Sequence, residues 1–408
     1  MPIFCIFCHI DILEIYGTIT AQKISNTKLM KKETLVQMEV LDFMNSHSDW
    51  EEVLTQPPYC IKVKRDRFYI LLKYDQLSSD FSLPIVRECR GVIFYDNENG
   101  TYECVCRAFD KFGNYGESYV PDIDWNSAVV EEKVDGSLIK LYYHNGQWHI
   151  ATNGTINAFK AEINDMGLNF GDLFYEALGG KEQFNGFCNY LDPICTYMFE
   201  LVSPKSRATI DYPETKLYYL GQRNMTTMKE SKEYIQAMCN YGVLYPKVYP
   251  LHTLDDCLEY VKSMTRDQEG FVIRDKSFSR IKLKSPEYLF AFRMNNNGIV
   301  TTKRVIDMIK NETLDDFLAY CPQHNDVVQE VIDDINLIVS DLEQDWNNIS
   351  SKAKLERKDF AKFVGGSHNK DFLWAKYDNP SLKALDWLMS RYTSKIKNMI
   401  EQYKERNK

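Results

Sequence analysis

Residues 131–137 read EEKVDGS and place one lysine, Lys133, between two segments with strand character. The apolar residues before it and the alternating residues after the Asp-Gly pair predict a strand, a tight turn and a second strand. An unprotonated lysine amine can attack phosphorus, and nearby cations favour that unprotonated form. Lys133 is therefore a candidate nucleophile.

A purely structural explanation of the same residues stays open. Asp-Gly between two strands is the commonest hairpin signal, and a lysine beside such a turn can simply be solvated. The pattern Lys-x-Asp-Gly is also short enough to arise by chance in a chain of this length. Alone it decides nothing.

Further charged residues occur at the ends of predicted strands. They lie in four segments, RECRGVIF at 87–94, FELVSP at 199–204, EGFVIR at 269–274 and IKLK at 281–284. Attack on the α-phosphate of a nucleoside triphosphate builds negative charge that fixed cations and a metal ion stabilise. Lys282 and Lys284 can supply cations from one face of a strand. Glu200 can accept hydrogen bonds from a ribose, and Glu269 can orient a hydrated Mg²⁺.

Each of these residues also has an ordinary explanation, because acids often end strands and alternating lysines often mark an exposed sheet face. Their joint order along the chain is what favours a nucleotide site. In that order they resemble the covalent nucleotidyltransferases, which comprise DNA ligases, RNA ligases and capping guanylyltransferases. The resemblance is strongest to the ATP-dependent RNA ligases of the T-even phage tRNA-repair type, and it covers the chain from Tyr74 to Tyr288.

The resemblance implies a role for each matched residue. The implied catalytic residues are Lys133, Lys282, Lys284 and Tyr288. The residues implied to bind ATP are Tyr74, Arg90, Lys111, Glu132, Glu200, Lys282 and Lys284. Glu269 and Asp315 would hold the metal ion, although an acidic first turn of a helix also explains Asp315. One departure is Thr152-Asn153-Gly154, where related enzymes commonly carry Ser-Lys-Gly.

The implied activity is the joining of a 5′-phosphate end and a 3′-hydroxyl end of RNA, with ATP as substrate and Mg²⁺ as the metal. Lys133 would take AMP from ATP and pass it to the 5′-phosphate, and the 3′-hydroxyl would then expel it. Cleaved tRNA is a candidate substrate, and an end-healing kinase or phosphatase is a candidate partner.

Two other interpretations remain open. A DNA ligase or a capping guanylyltransferase typically follows the Lys-x-Lys strand with a small barrel of short strands, whereas helical patterns follow it here. A non-catalytic RNA-binding relative would not need the nucleophile and its charged companions, which are all present.

Periodicity places these residues on predicted elements. Helices are predicted at Thr34 to His47, Ile156 to Leu178 and Thr253 to Met264, the last begun by a threonine cap. Strands are predicted at Ile61 to Leu72, Gly270 to Arg274 and Ile281 to Lys284. Turns at residues 97–100, 145–146 and 153–154 separate further strands between Pro84 and Leu220.

Beyond Glu287 two long apolar stripes predict helices. One runs from Val327 to Trp346 and the other from Leu382 to Ile400, with Ser381 as a cap and Gly365-Gly366 between helical pieces. The predicted fold class is α+β, with an antiparallel-sheet nucleotidyltransferase (ATP-grasp-like ligase) domain followed by an all-helical C-terminal domain. The predicted ranges are 1–33 for an N-terminal extension, 34–290 for the nucleotidyltransferase domain and 291–408 for the helical domain.

Composition limits the compartment and the mode of binding. The 408 residues carry a formal net charge of −9, which argues against coating nucleic acid by charge alone. An odd count of 11 cysteines suits a reducing compartment. We expect a soluble, cytoplasmic and monomeric protein of phage or viral origin, with no membrane partner. Cys5, Cys8 and His9 could begin a zinc site, but no second ligand pair follows at suitable spacing. The first 20 residues are too polar to span a bilayer, and Met30 is a candidate natural start.

Overall fold

The computed structural model describes residues 38–76, 78–163, 167–206, 209–289, 300–310, 313–352 and 356–407. The predicted extension 1–33 lies outside these ranges, together with the candidate zinc ligands and Met30. Residues 34–37, which begin the first predicted helix, and the predicted domain boundary between residues 290 and 291 also lie outside them.

Strands and helices are numbered in chain order. The strands are β1 (Ile61–Asp66), β2 (Tyr69–Tyr74), β3 (Arg90–Asp96), β4 (Tyr102–Cys106), β5 (Val129–Glu132), β6 (Ser137–His144), β7 (Gln147–Thr152), β8 (Glu162–Ile163), β9 (Leu168–Asn169), β10 (Cys195–Val202), β11 (Lys216–Asn224), β12 (Glu230–Ser231), β13 (Val248–Tyr249), β14 (Gly270–Arg274) and β15 (Arg280–Lys284). The helices are α1 (Glu39–Ser46), α2 (Trp50–Thr55), α3 (Pro84–Glu88), α4 (Phe170–Leu178), α5 (Lys181–Cys188), α6 (Gln236–Asn240), α7 (Leu254–Val261), α8 (Thr302–Lys310), α9 (Leu314–Tyr320), α10 (Asn325–Ile349), α11 (Arg357–Val364), α12 (Lys370–Asp378), α13 (Ala384–Met389) and α14 (Thr393–Arg406).

The strands of the described ranges form three larger antiparallel sheets and one two-stranded ribbon, β8-β9. The first sheet has the order β1-β2-β3-β4, the second β12-β11-β10-β6-β7 and the third β13-β5-β14-β15. The second sheet packs on α4 and α5 through a cluster that includes Ile139, Phe174 and Phe187. The third sheet packs on α7 through Phe271 and Val261. The predicted α+β fold with antiparallel sheets is confirmed.

The connection at Asp135-Gly136 differs from a hairpin. It joins β5 to β6 as predicted, but β5 pairs with β13 and β14, whereas β6 pairs with β7 and β10. The two strands therefore belong to different sheets. Lys133 lies where the chain crosses from the third sheet to the second, so residues of both sheets can lie near its side chain.

The predicted single strand from Ile61 to Leu72 is wrong. The structure divides it into β1 and β2, which pair with each other antiparallel. The reversal occurs at Arg67, whose φ of 55° lies in the left-handed region. The polar residues 64–67 between the two apolar stretches include no Gly, Asn or Pro that would have marked a turn.

The helical insertion predicted from Ile156 to Leu178 is also mostly wrong. Its first part is a short 3-10 turn followed by β8 and β9, and only residues from Phe170 onward form a helix. The side chain of Asn169 accepts a hydrogen bond from the backbone N–H of Asp172 and caps α4 there. The predicted helix at Thr253 is confirmed, with a capping box between Thr253 and Asp256.

The C-terminal part of the described chain is helical, as predicted. Its buried cluster draws on α8 to α14, and the long helix α10 buries Val328, Val331, Ile335 and Leu342 on one face. The stripe from Leu382 to Ile400 is divided between α13 and α14, and α13 begins at Ala384, so Ser381 is not its cap. Within the residues that the structure describes, no helix has both the length and the apolar character needed to cross a membrane.

Candidate active site

One glutamate joins two of the predicted lysines. Lys133 Nζ donates to Glu269 Oε2 at 2.8 Å, and Lys284 Nζ lies 3.1 Å from Glu269 Oε1. The Glu269 side chain is 2% exposed, whereas the Lys133 side chain is 20% exposed. The amine is therefore held by a buried carboxylate, on a side chain that is itself only partly covered.

Strand pairing produces this arrangement. The backbone N–H of Lys133 donates to the carbonyl of Gly270 at 2.9 Å, and Gly270 pairs with Lys284 across β14 and β15. Gly270 has a φ of +140°, and a Cβ built on it would lie 2.8 Å from Lys284 Cα. Only glycine allows β15 to approach β14 this closely beside Glu269.

Two more carboxylates lie next to this group. Loss of hydration raises the pKa of Glu200 to about 7, and the negative Glu269 adds to the rise while Lys133 opposes it. Loss of hydration also raises the pKa of Asp135 to about 6, again with a contribution from Glu269 against Lys133. We define Lys133, Asp135, Glu200, Glu269 and Lys284 as the nucleophile cluster, in which acids outnumber the lysines.

The predicted phosphate-binding cations share aromatic neighbours. The guanidinium of Arg90 lies 4.7 Å from the centre of the Phe109 ring and 5.8 Å from that of Phe112. Lys282 Nζ lies 5.3 Å from the same Phe112 ring. Arg90 Nη1 is buried and has no hydrogen-bond partner among the described residues, so it retains a donor for an anion.

Lys111 and Tyr74 form a second group with the helical domain. Lys111 Nζ lies 5.3 Å from the centre of the Tyr74 ring and 4.8 Å from that of Phe81. It also forms an ion pair with Asp315, at the start of α9. The contact described for Asp315 is therefore with a predicted ATP-binding lysine, and its predicted role as a metal ligand stays a prediction.

The other predicted site residues lie along the same sheets. Glu132 accepts a hydrogen bond from the backbone N–H of Lys247 at 3.3 Å. Tyr288 is buried and lies below Lys284, whose Nζ is 5.7 Å from the centre of its ring. Lys282 and Lys284 are both buried on β15 rather than on an exposed sheet face.

Asn153, at the position where related enzymes commonly carry lysine, packs against the start of β3. A Cβ on Gly91 would lie 2.8 Å from Asn153 Cα, and Gly91 has a φ of +70°. Lys64 Nζ donates to the adjacent carbonyl of Gly154 at 2.9 Å. Asn153 Oδ1 is buried without a hydrogen-bond partner in the described part of the chain.

Sequence reasoning missed three residues that contact the predicted set. Phe112 lies beside both Arg90 and Lys282, although its position next to Lys111 was a visible signal. Asp135 belongs to the motif itself but received no role. Tyr212 accepts a hydrogen bond from the backbone N–H of Asp135 at 3.1 Å, and no sequence pattern indicates this contact.

A different group of buried charges is centred on Glu230. Glu230 binds two arginines, with Arg223 Nη2 at 2.6 Å and Arg280 Nη2 at 2.5 Å. The three side chains are 9%, 6% and 8% exposed, respectively. Burial alone would raise the pKa of Glu230, but Arg280 and Arg223 together lower it below its ordinary value. We define these three residues as the arginine cluster.

Comparison with known proteins gives relatives of one kind. The model of the family described as RNA ligase matches residues 88–297. A protein of Autographa californica nuclear polyhedrosis virus, named as a bifunctional polynucleotide kinase/RNA ligase, is 32% identical over 322 residues, which cover 74% of this chain and 45% of that protein. The chain thus spans less than half the length of this relative. The RNA ligase of Rhodothermus phage RM378 is 26% identical over 364 residues, which cover 72% of this chain and 82% of that protein.

Solved structures with a partial likeness include ligases. An archaeal ATP-dependent RNA ligase has a TM-score of 0.41 at 14% identity, covering 75% of this chain and 83% of that one. A protein of Aquifex aeolicus named as an ATP-dependent DNA ligase has a TM-score of 0.40 at 10% identity, covering 77% of this chain and 85% of that one.

Proposed function

The chain belongs to the RNA ligase family, and on that premise we propose that it joins RNA ends with ATP through a covalent adenylate on Lys133. In the first step Lys133 Nζ forms a bond to the α-phosphorus of ATP and pyrophosphate leaves. In the second step AMP passes to a 5′-phosphate of RNA and the lysine amine is restored. In the third step a 3′-hydroxyl attacks that activated phosphate and AMP leaves.

The observation that carries this proposal is the contact of Glu269 with both Lys133 and Lys284. It holds the predicted nucleophile and a predicted phosphate-binding cation on one carboxylate, although 136 residues separate Lys133 from Glu269 in sequence. The Lys133 side chain also keeps a partly exposed surface, as a nucleophile that meets an incoming nucleotide requires. A lysine that was merely solvated beside a turn would have no reason to contact a buried carboxylate.

The remaining predicted residues have roles that suit their surroundings. Arg90, whose buried Nη1 has no hydrogen-bond partner among the described residues, and Lys282 beside Phe112 are proposed to bind phosphate oxygens. Glu200, within β10, is proposed to accept from the ribose hydroxyls. Lys111 and Tyr74 are proposed to bind the outer phosphates.

A divalent cation, Mg²⁺ in this proposal, fits the chemistry of the nucleophile cluster. Within the described ranges no group of three or more His, Cys, Asp or Glu side chains is arranged to hold a metal. Mg²⁺ is, however, usually held by one or two carboxylates together with substrate phosphates and water. The pKa values of Glu200 and Asp135 are raised first by burial and further by the neighbouring Glu269, so a cation beside these three carboxyl groups would favour their ionised forms. Glu269 would hold the ion, which supplies positive charge beside the phosphate.

The substrate is proposed to be RNA with a 5′-phosphate and a 3′-hydroxyl, cleaved tRNA being one candidate. The viral relative is named as both a kinase and a ligase, and a kinase activity would supply 5′-phosphate ends. An end-healing partner of this chain is therefore part of the proposal.

Covalent labelling tests the first step. The protein is incubated with Mg²⁺ and ATP labelled at the α-phosphate, then denatured, and the retained label is measured. We expect acid-labile label on the wild type and none on Lys133→Ala. The matched control is Lys216→Ala, because Lys216 also pairs with a glutamate, Glu214, at 3.0 Å, but on the exposed surface. Full labelling of Lys133→Ala would exclude the nucleophile.

Substrate choice separates this activity from that of other nucleotidyltransferases. We expect circularisation of 5′-phosphorylated single-stranded RNA. Sealing of nicked DNA without any joining of RNA would assign a DNA ligase, and transfer of GMP to a 5′-diphosphate RNA end would assign a capping enzyme. Binding of RNA without any covalent label would assign a non-catalytic relative.

A further inference from the structure

The segment of residues 209–212 holds Asp135 at two points. The hydroxyl oxygen of Tyr212 accepts a hydrogen bond from the backbone N–H of Asp135 at 3.1 Å. The backbone N–H of Ile210 donates to Asp135 Oδ2 at 2.9 Å. One segment thereby fixes both the main chain and the side chain of a residue two positions after Lys133.

The crossing also contacts the strands of both sheets. The backbone N–H of Lys133 bonds to Gly270, in the third sheet. At Gly136 a Cβ would lie 2.5 Å from the carbonyl oxygen of Leu201, so the chain passes tightly against β10. Residues 133–136 belong to no strand, and their position therefore depends on these individual contacts rather than on a continuous ladder.

The side chain of Asp135 also matters to the charge around the nucleophile. Its carboxylate interacts with Glu269, Lys133 and Lys284. The N–H of Ile210 favours the ionised form, against the loss of hydration that disfavours it. A shift of Asp135 would therefore move a negative charge relative to the amine of Lys133.

We propose that Tyr212 is a positioning residue for the adenylylation of Lys133, because its hydroxyl oxygen and the neighbouring N–H of Ile210 hold the crossing at Asp135 in register with the third sheet. The inference rests on the function proposed above. Tyr212 acts through Asp135 and need not touch ATP. Its loss should slow the covalent step without weakening the binding of ATP.

The chain contains a matched tyrosine away from the nucleophile cluster. The Tyr245 hydroxyl oxygen accepts from the backbone N–H of Ile235 at 2.9 Å, and the hydroxyl also donates to the carbonyl of Ile235 at 3.3 Å. Burial raises the pKa of Tyr212 and of Tyr245 above the ordinary value, so both hydroxyls stay protonated at neutral pH. Tyr245→Phe therefore removes the same kind of hydrogen bond with no link to Lys133.

The experiment measures single-turnover formation of the covalent adenylate over a range of ATP concentrations. In Tyr212→Phe we expect the maximal rate to fall about tenfold, the rate equivalent of one hydrogen bond, with the half-saturating ATP concentration within about twofold of the wild type. In Tyr245→Phe we expect an unchanged rate. Thermal unfolding of both variants measures the structural cost, which we expect to be similar.

Equal rates for the two variants, or a change confined to the half-saturating ATP concentration, would overturn the inference. If Tyr212→Phe does not fold, 3,5-difluorotyrosine at position 212 keeps the ring and the oxygen but weakens the oxygen as an acceptor. An unchanged rate in that protein would equally overturn it. Failure of the wild type to form any adenylate would instead reject the proposed function, and the inference with it.

Discussion

The nucleophile cluster and the arginine cluster differ in how their charges are compensated. In the arginine cluster one glutamate lies between two arginines, and its pKa is lowered in spite of burial. In the nucleophile cluster the lysines are outnumbered by acids, and the pKa values of Glu200 and Asp135 are raised to about 7 and about 6. The arginines thus outweigh the effect of burial on the carboxyl pKa in one cluster, whereas in the other cluster burial, with Glu269 adding to it, outweighs the lysines.

This difference distinguishes a cluster that stabilises the fold from a cluster that is suited to bind a ligand. In the arginine cluster the ionised carboxylate is already held by two cations and gains little from a further ion, so its value lies in the folded state. An excess of buried acid costs stability unless a cation or a ligand arrives, which is typical of functional sites. Removing charges from the two clusters should therefore have opposite effects on stability.

The largest effect is expected in the arginine cluster. Glu230→Gln removes the carboxylate that pairs with both buried arginines and leaves Arg223 only the longer ion pair with Asp110 at 3.8 Å, and we expect the free energy of unfolding to fall by about 3–5 kcal/mol. Urea denaturation measures this. The exposed Glu214→Gln serves as the control and should change stability by at most about 1 kcal/mol. A loss no greater than that of the control would mean that the arginine cluster is not a stabilising unit.

Glu200→Gln should act in the opposite direction. Because the pKa of Glu200 rises from 4.5 to about 7 on folding, its ionised form destabilises the ligand-free protein at pH 8. We expect the variant to unfold with a free energy higher by up to roughly 3 kcal/mol and to lose covalent labelling. A less stable variant would show that Glu200 is compensated like Glu230.

The pH dependence of stability should carry the same sign. A carboxyl group whose pKa is higher in the folded state binds a proton there at pH values where the unfolded chain has released it. Stability from Glu200 is therefore present below pH 4.5 and is lost as the pH rises to about 7, by at most about 1.4 kcal/mol per pH unit. The slope should be smaller in Glu200→Gln. Identical slopes in the two proteins would contradict the assignment.

Mg²⁺ without ATP should give the smallest effect. At about five times its dissociation constant the ion should raise the free energy of unfolding by about 1 kcal/mol. The gain should vanish in Glu269→Gln and persist in Glu214→Gln. The gain in the free energy of unfolding should also be smaller at pH 5 than at pH 8, because Glu200 and Asp135 are mostly protonated at pH 5. An equal gain in Glu269→Gln would place the ion elsewhere.

The sequence was informative where a motif coincides with a strand end. Lys133 follows β5, Glu269 precedes β14 and Lys284 ends β15, and these strands pair in one sheet, so the order of the residues along the chain was enough to predict that they act together. Their shared carboxylate was not predicted, because an acid at the start of a strand was assigned to a metal and not to the nucleophile.

Contacts that join distant segments escaped prediction. The hydrogen bond between Tyr212 and Asp135 links residues 77 positions apart, and the ion pair of Lys111 with Asp315 links residues 204 apart. No periodicity encodes such pairings, which depend on how the sheets and the helical domain pack. Local turns also escaped where no Gly, Asn or Pro marks them, as at Arg67.

Gly270 has a consequence for how this protein can change. Even an alanine there would push its methyl group into the backbone of the neighbouring strand and force β14 away from β15. Glu269 and Lys284 would then separate together with the strands that carry them. In a screen of random variants, position 270 should tolerate no replacement. The distance between the carboxylate of Glu269 and the amine of Lys284 should therefore stay the same in every folded variant.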